Sequence, residues 1–205
     1  MEKLPFDRDG RWFAFFGDTS WLILREPYRV FSKLADESAE PAWRFAASWG
    51  IVSGLLLVAV SEALGAGRWG MLLLAGIAGM LRDTLLWSAG SLFLWGLMRM
   101  LGATTSWSMA ARVVGYAAAW TGPELIIQAV HVWAVLAPSA VWAWVCWSLG
   151  FAVSIGTSAF AIFAFARGRS QFSPQRAVVA ATLGVAPGVA LKVASLLVTL
   201  NMMRR

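Results

Sequence analysis

Three polar side chains that could carry chemistry share one face of a long apolar segment. Glu124, Gln128 and His131 are four and three residues apart, a spacing that aligns side chains on a helix. A carboxyl, an amide and an imidazole in this order could pass a proton or hold an ion. The alternative, which we favour, is a set of hydrogen bonds to a neighbouring helix, with Arg82 or Lys192 as a partner of Glu124.

The other charges within apolar segments also need partners or water. Arg82 and Asp83 are adjacent, so on a helix they point about 100° apart and are predicted not to face each other. We expect both at a membrane interface, or Asp83 capping a helix that begins at Thr84. Lys192 follows Pro187 by five residues and is predicted to pair with an acid inside the bundle. Glu62 is expected at an interface.

Catalytic and metal-binding patterns are missing from the sequence. There is one cysteine, Cys146, and one histidine, and we find no nucleophile triad, zinc-binding HExxH, P-loop or dinucleotide fingerprint. Thirteen tryptophans could suggest a pigment or quinone, and Trp87, Ser91 and Trp95 share a face. Most tryptophans, however, cluster where membrane interfaces are predicted, so packing is favoured. We therefore expect no enzyme activity, no cofactor and no metal site.

Charge is too scarce after residue 45 for a water-exposed exterior. The chain is 59% hydrophobic, and its mean hydropathy is +0.66. Residues 46–200 contain eleven charged side chains, namely Glu62, Arg68, Arg82, Asp83, Arg99, Arg112, Glu124, Arg167, Arg169, Arg176 and Lys192. The solvent of this region is therefore predicted to be lipid. The basic residues flank apolar runs, so the high isoelectric point does not indicate nucleic-acid binding.

About five spans of roughly 20 residues fit this region. We predict them at residues 46–64, 84–100, 109–135, 141–166 and 177–200. A short interfacial piece is expected at residues 69–81, and one long helix from about Ala75 is the alternative. Gly122-Pro123 should kink the third span. The small pairs Gly50 and Gly54, and Gly184 and Gly188, are predicted to let helices approach closely.

The segment before the first span is predicted to lie in water or at the membrane surface. Residues 1–44 carry seven Lys/Arg and eight Asp/Glu. After Pro27, a favourable first helical residue, the side chains of Tyr28, Phe31, Leu34 and Ala35 share one face. The predicted amphipathic helix lies on the membrane, docks on the spans or packs on a partner.

Counts of Lys/Arg alternate between connections and so predict the orientation. The N-terminal segment has seven, the second turn is flanked by Arg99 and Arg112, and the fourth loop has three. The first loop has only Arg68 and the third has none. The N-terminus, second turn and fourth loop are therefore expected on the cytoplasmic side, and the C-terminus on the other side.

The second turn also carries a family resemblance. Residues 97–107 read Leu-Met-Arg-Met-Leu-Gly-Ala-Thr-Thr-Ser-Trp, and residues 112–117 read Arg-Val-Val-Gly-Tyr-Ala. With Arg25-Glu26-Pro27 upstream, this pattern resembles the Yip family of Ypt-interacting membrane proteins. The motif positions are Gly102, Gly115, Tyr116 and Ala117. The family usually has a proline soon after Tyr-Ala, whereas this chain has Trp120 and then Pro123.

The resemblance implies five spans, a cytoplasmic N-terminus and a role as scaffold or adaptor. We therefore expect an all-α polytopic membrane bundle, with residues 1–44 as the interfacial segment and residues 45–205 as a Yip-like transmembrane domain. The predicted function is that of a non-enzymatic scaffold, adaptor or accessory subunit in a bacterial inner membrane. Its expected partners are the bilayer and other integral membrane proteins, with a homo-oligomer left open. The alternative is a transporter or channel component using the Glu124, Gln128 and His131 stripe.

Overall fold

Helices account for the regular structure throughout the described chain. The computed structural model of the protein describes residues 4–5, 12–63, 72–120, 123 and 140–203. These residues contain seven α-helices and no strand. The α-helices are α1 (Trp12–Arg25), α2 (Pro27–Lys33), α3 (Glu40–Ala63), α4 (Leu72–Met100), α5 (Trp107–Ala117), α6 (Ala140–Gly168) and α7 (Pro174–Met203). The all-α prediction is therefore confirmed for this part of the chain.

The N-terminal segment forms two helices. The first, α1, is a continuous helix of 14 residues. The second, α2, begins at Pro27 as predicted, and Phe31 and Leu34 are buried while Tyr28 is exposed. This helix docks on α6, where a methyl group added to Gly168 would clash with Ser32. Of the placements left open for this helix, docking on the bundle is the one observed.

Helix α4 corrects the expected division of its region. It runs unbroken for 29 residues from Leu72 to Met100, through Arg82 and Asp83. The predicted break and the capping role of Asp83 are therefore wrong, and the alternative of one long helix is closer. No proline or glycine stands at positions 82–84 to interrupt the helix. The two charges are accommodated by hydrogen bonds instead of by a break.

The third predicted span begins near its expected position. Helix α5 covers Trp107–Ala117 and continues as a 3-10 turn over Ala118–Trp120. This tighter turn begins at Ala118 and so precedes Pro123, where the sequence predicts the kink. Residues 124–135 of the predicted span lie outside the described residues.

The last two helices start and end close to their predicted limits. Helix α6 extends two residues beyond the expected end at residue 166, and α7 contains Pro187 within a continuous helix. Within α6, the stretch Ser148–Gly168 is long and apolar enough to cross a membrane. It is the one stretch among the described residues that meets this test of length and composition.

The hydrophobic core lies at one end of the bundle. Ile23 and Phe31 from the N-terminal helices pack there with Met98 of α4, Tyr116 of α5 and Phe165 of α6. Residues on both sides of position 45 therefore share one core. The division into segments 1–44 and 45–205 stays a prediction about membrane placement.

Candidate functional site

Three connecting segments meet beside this core, and we call them together the junction: residues 34–39, 101–106 and 169–173. The Ser106 hydroxyl donates to the Asp36 carboxylate at 2.8 Å. The Thr105 and Ser170 hydroxyls lie 3.5 Å apart. These are the N-terminal segment, second turn and fourth loop, which the count of basic residues assigns to the same side.

The turn after α4 explains the Leu-Gly-Ala part of the sequence motif. Gly102 has φ +87°, a left-handed backbone that favours glycine. Its N–H donates to the Arg99 carbonyl at 3.0 Å, and the Ala103 N–H donates to the Met98 carbonyl at 2.9 Å. This pair of bonds is the Schellman motif, which satisfies carbonyls at a helix end. Gly102 thus ends α4.

The hydroxyl residues that follow start α5. The Ser106 hydroxyl accepts the Met109 N–H at 3.2 Å, as an N-cap does. Ser108 donates to the same Asp36 oxygen that Ser106 contacts, at 3.1 Å. Asp36 therefore ties the N-terminal segment to the first turn of α5. The sequence pattern predicts no role for Asp36 or these serines, although a serine directly before a segment of apolar periodicity is a recognisable N-cap signal.

The Gly-Tyr part of the motif packs α5 against its neighbours. A methyl group on Gly115 would lie 2.6 Å from the Ala42 carbonyl oxygen and 2.7 Å from Nε1 of Trp87. That indole donates to the Ala111 carbonyl at 2.9 Å. Tyr116 is fully buried, and Ala117 packs on the edge of the core. These motif residues therefore hold helices together.

Arg112 is the largest fully buried side chain of the described residues. Its Nη1 donates to the Ser38 carbonyl at 3.0 Å. Its guanidinium carbon lies 5.5 Å from the centre of the Tyr116 ring, within cation–π range. The sequence alone indicates only that Arg112 is a charged residue beside the second turn. In the structure it fastens residues 34–39 to α5.

A polar cavity of about 380 Å³ opens at the junction. Asp36, Thr105, Ser106, Arg169 and Gln171 line it. The cavity offers a carboxylate, a guanidinium and several hydroxyls, which suit hydrogen bonding to a polar group. Among the described residues, no group of three or more His, Cys, Asp or Glu could hold a metal ion.

The polar candidates of the apolar segments are placed as follows. Glu124, Gln128 and His131 lie outside the described residues. Lys192 lies in α7. Nε of Arg82 lies 2.6 Å from Oδ1 of Asp83, and its Nη2 donates to Ser53 of α3 at 2.8 Å. The prediction that Arg82 and Asp83 do not face each other is wrong, because the long arginine side chain folds back along the helix.

Glu62 is more buried than its expected interfacial position implies. The residue is only 9% exposed. Its Oε1 has no hydrogen-bond partner in the part of the chain that the structure describes. Nothing in the sequence around Glu62 distinguishes a buried acid from an interfacial one.

The predicted small-residue pairs differ in their surroundings. Methyl groups on Gly50 and Gly54 would collide with the backbone of Gly79 and Ala75 on α4. A methyl group on Gly184 would lie 2.6 Å from the Ile162 side chain, whereas one on Gly188 would meet no atom within 4 Å. Three of the four glycines thus lie at close helix contacts. Gly188 borders open space instead.

Comparisons of the chain with known protein families, with curated proteins and with solved structures found no match. The resemblance to the Yip family therefore rests on the motif residues and the span pattern alone, and it stays a prediction. The geometry accounts for Gly102, Gly115 and Tyr116 by helix capping and close packing. Such roles do not by themselves specify a family or an activity.

Proposed function

We propose that the protein is a polytopic helical membrane protein of about five spans, with its N-terminus in the cytoplasm. It works without catalysis, as a scaffold, adaptor or accessory subunit of a larger membrane assembly, in the manner that the Yip resemblance implies. The junction is then its cytoplasmic end. The bundle around α3, α4, α6 and α7 is the part that lies in lipid.

The observation that carries the proposal is the apolar outer surface of the helices. On α4, Leu73 is 74% exposed and Leu85 is 69% exposed. Further exposed leucines and valines occur on α3, α6 and α7, for example Val52, Leu149 and Leu191. Monomeric proteins in water rarely expose extended apolar patches, whereas side chains of this kind are stable against acyl chains.

The second support is the arrangement of the connections. Hydrogen bonds bring residues 34–39, 101–106 and 169–173 together at one end. Chain segments that alternate in basic charge should also alternate between membrane sides. An up-and-down bundle with a cytoplasmic N-terminus requires that the basic connections lie next to each other at one end.

The exposed side of α1 and α2 is the surface that we assign to a protein partner. Trp21 is 65% exposed, and Arg25, Tyr28 and Lys33 are also exposed. Tryptophan, tyrosine and arginine are over-represented among the interface residues that dominate binding energy. An adaptor needs such a surface outside the lipid-facing part of the bundle.

Purification of the tagged full chain in mild detergent, with quantitative mass spectrometry of copurifying proteins, tests the proposal. Deleting residues 1–40 is unsuitable because Ile23 and Phe31 belong to the core. Trp21→Ala should lower the recovered partner several-fold. Trp95→Ala, at an exposed tryptophan of α4, should retain it.

Two outcomes would overturn the scaffold assignment. A chain that leaves the membrane fraction in alkaline carbonate is not integral to the membrane. A chain that stays there but purifies alone, and carries an ion flux in vesicles that Glu124→Gln abolishes, is a transport component instead.

A further inference from the structure

A second cavity, of about 510 Å³, lies among α4, α5, α6 and α7. We call it the crevice. Gly90 of α4, Val114 of α5, Ser158 of α6 and Gly188 of α7 line it. Protein interiors contain few voids larger than one water molecule, so a space of this size among four helices is unusual.

Small residues at facing helical positions create the crevice. Gly184, Pro187, Gly188 and Leu191 follow the spacing of one face of α7, and all four line the space. A methyl group on Gly188 would meet no atom within 4 Å, whereas one on Gly90 would lie 3.2 Å from the Val114 side chain, which is a tight contact. The described side chains of these helices therefore leave the space open beside Gly188.

The described lining is mainly apolar, with Ser154 and Ser158 as its polar residues, and carries no charged residue. The Ser158 hydroxyl is already used within α6, where it donates to the Ser154 carbonyl at 2.8 Å. Water is stable in a cavity only where it finds two or more polar partners, and apolar cavities stay dry or bind apolar molecules. The occupant should therefore be apolar and need no hydrogen bonds from the side walls.

The crevice also opens to the outside of the bundle. Leu86, Phe93 and Leu191 line it and are at the same time exposed on the outer surface. Material from the surroundings can therefore enter sideways between α4 and α7. In a bilayer these surroundings are acyl chains, which are flexible, narrow and without hydrogen-bonding groups along their length.

We propose that the crevice binds one acyl chain of a bilayer phospholipid. The proposal rests on the proposed membrane location. The chain enters between α4 and α7 and fills the space that Gly188 borders. The bound lipid thereby completes the packing of the four helices.

Gly188→Leu tests the proposal because the leucine side chain would occupy the crevice. Gly156→Leu is the matched control, since Gly156 lies on α6 outside the crevice lining and an added methyl group there also meets nothing within 4 Å. The full chain is reconstituted with phosphatidylethanolamine and phosphatidylglycerol and extracted in detergent. Native mass spectrometry then counts the phospholipids that each variant retains during delipidation.

The wild type and Gly156→Leu should each retain one phospholipid. Gly188→Leu should bind it roughly a hundredfold more weakly, because its side chain displaces about four methylene groups of the acyl chain. Equal retention by Gly188→Leu and Gly156→Leu would overturn the assignment. So would a wild-type dimer that Gly188→Leu dissociates, since the occupant would then be a second copy.

Membrane fractionation of the same variants separates this proposal from the proposed function. If all variants stay in the membrane and none retains a phospholipid, the crevice assignment fails while the scaffold assignment stands. If the wild type is found outside the membrane, the proposed function fails. The assignment of the crevice to a bilayer lipid then fails with it.

Discussion

Replacing Gly50 with alanine tests a close backbone contact between α3 and α4. Gly50 of α3 faces Gly79 of α4. The new methyl carbon would lie 2.6 Å from the Gly79 carbonyl oxygen, 2.9 Å from its carbonyl carbon and 3.0 Å from the Met80 Cα. All three are backbone atoms, so no side-chain rotation can make room. The two helices must separate.

The expected magnitude follows from these distances. An ordinary carbon–oxygen contact is about 3.4 Å, so α3 and α4 must move apart by about 0.8 Å (3.4 minus 2.6) at this point. Overpacking of this kind costs about 1–3 kcal/mol, and a rigid backbone clash belongs at the upper end. Alanine recovers up to about 1 kcal/mol through its helix propensity. We expect a net loss of about 2 kcal/mol.

Thermal unfolding in detergent, followed by circular dichroism, measures the effect. For a chain of this size each kcal/mol corresponds to about 2–4 °C, so Gly50→Ala should lower Tm by about 4–8 °C. Gly96→Ala is the control, because Gly96 lies within α4 and an added methyl group meets nothing within 4 Å. It should raise Tm slightly.

Two results would refute the reasoning. If Gly50→Ala has the same Tm as the wild type, α3 and α4 do not cross at this glycine. If the Tm of Gly96→Ala falls as far as that of Gly50→Ala, the loss comes from replacing any helical glycine and not from the contact.

Two further substitutions test the junction by the same melting measurement. Gly102→Ala should lose about 1 kcal/mol because φ is +87°. Gly102→Asn should lose less, since asparagine tolerates the left-handed region, and equal losses would contradict a backbone origin. Arg112→Met should lose about 1–3 kcal/mol, because it removes the hydrogen bond from the fully buried guanidinium to the Ser38 carbonyl. Arg99→Met, at an exposed site of the same end, should change stability by less than about 0.5 kcal/mol, and an equal loss in both would contradict the role of Arg112.

Local signals in the sequence predicted helix limits well where caps are present. Pro27 begins α2, and the turn that contains Gly102 ends α4 and begins α5. Capping and backbone preference act within four residues, so they can be recognised without knowing what packs nearby. Local signals did not suffice at Arg82. The rule that adjacent helical residues point apart does not account for an arginine side chain that folds back onto Asp83, and it cannot predict the contact with Ser53 on another helix.

The amino-acid sequence by itself determined that the described part of the chain is helical, that residues 46–200 carry only eleven charged side chains, and that Gly50 and Gly54 are small enough for close contact. Only the tertiary structure decided which residues are in contact across helices. Asp36 binds Ser106 across seventy positions of sequence, Gly50 faces Gly79, and Gly188 borders the crevice. Propensity, capping and hydropathy depend on neighbours along the chain, whereas these contacts depend on how helices cross in space.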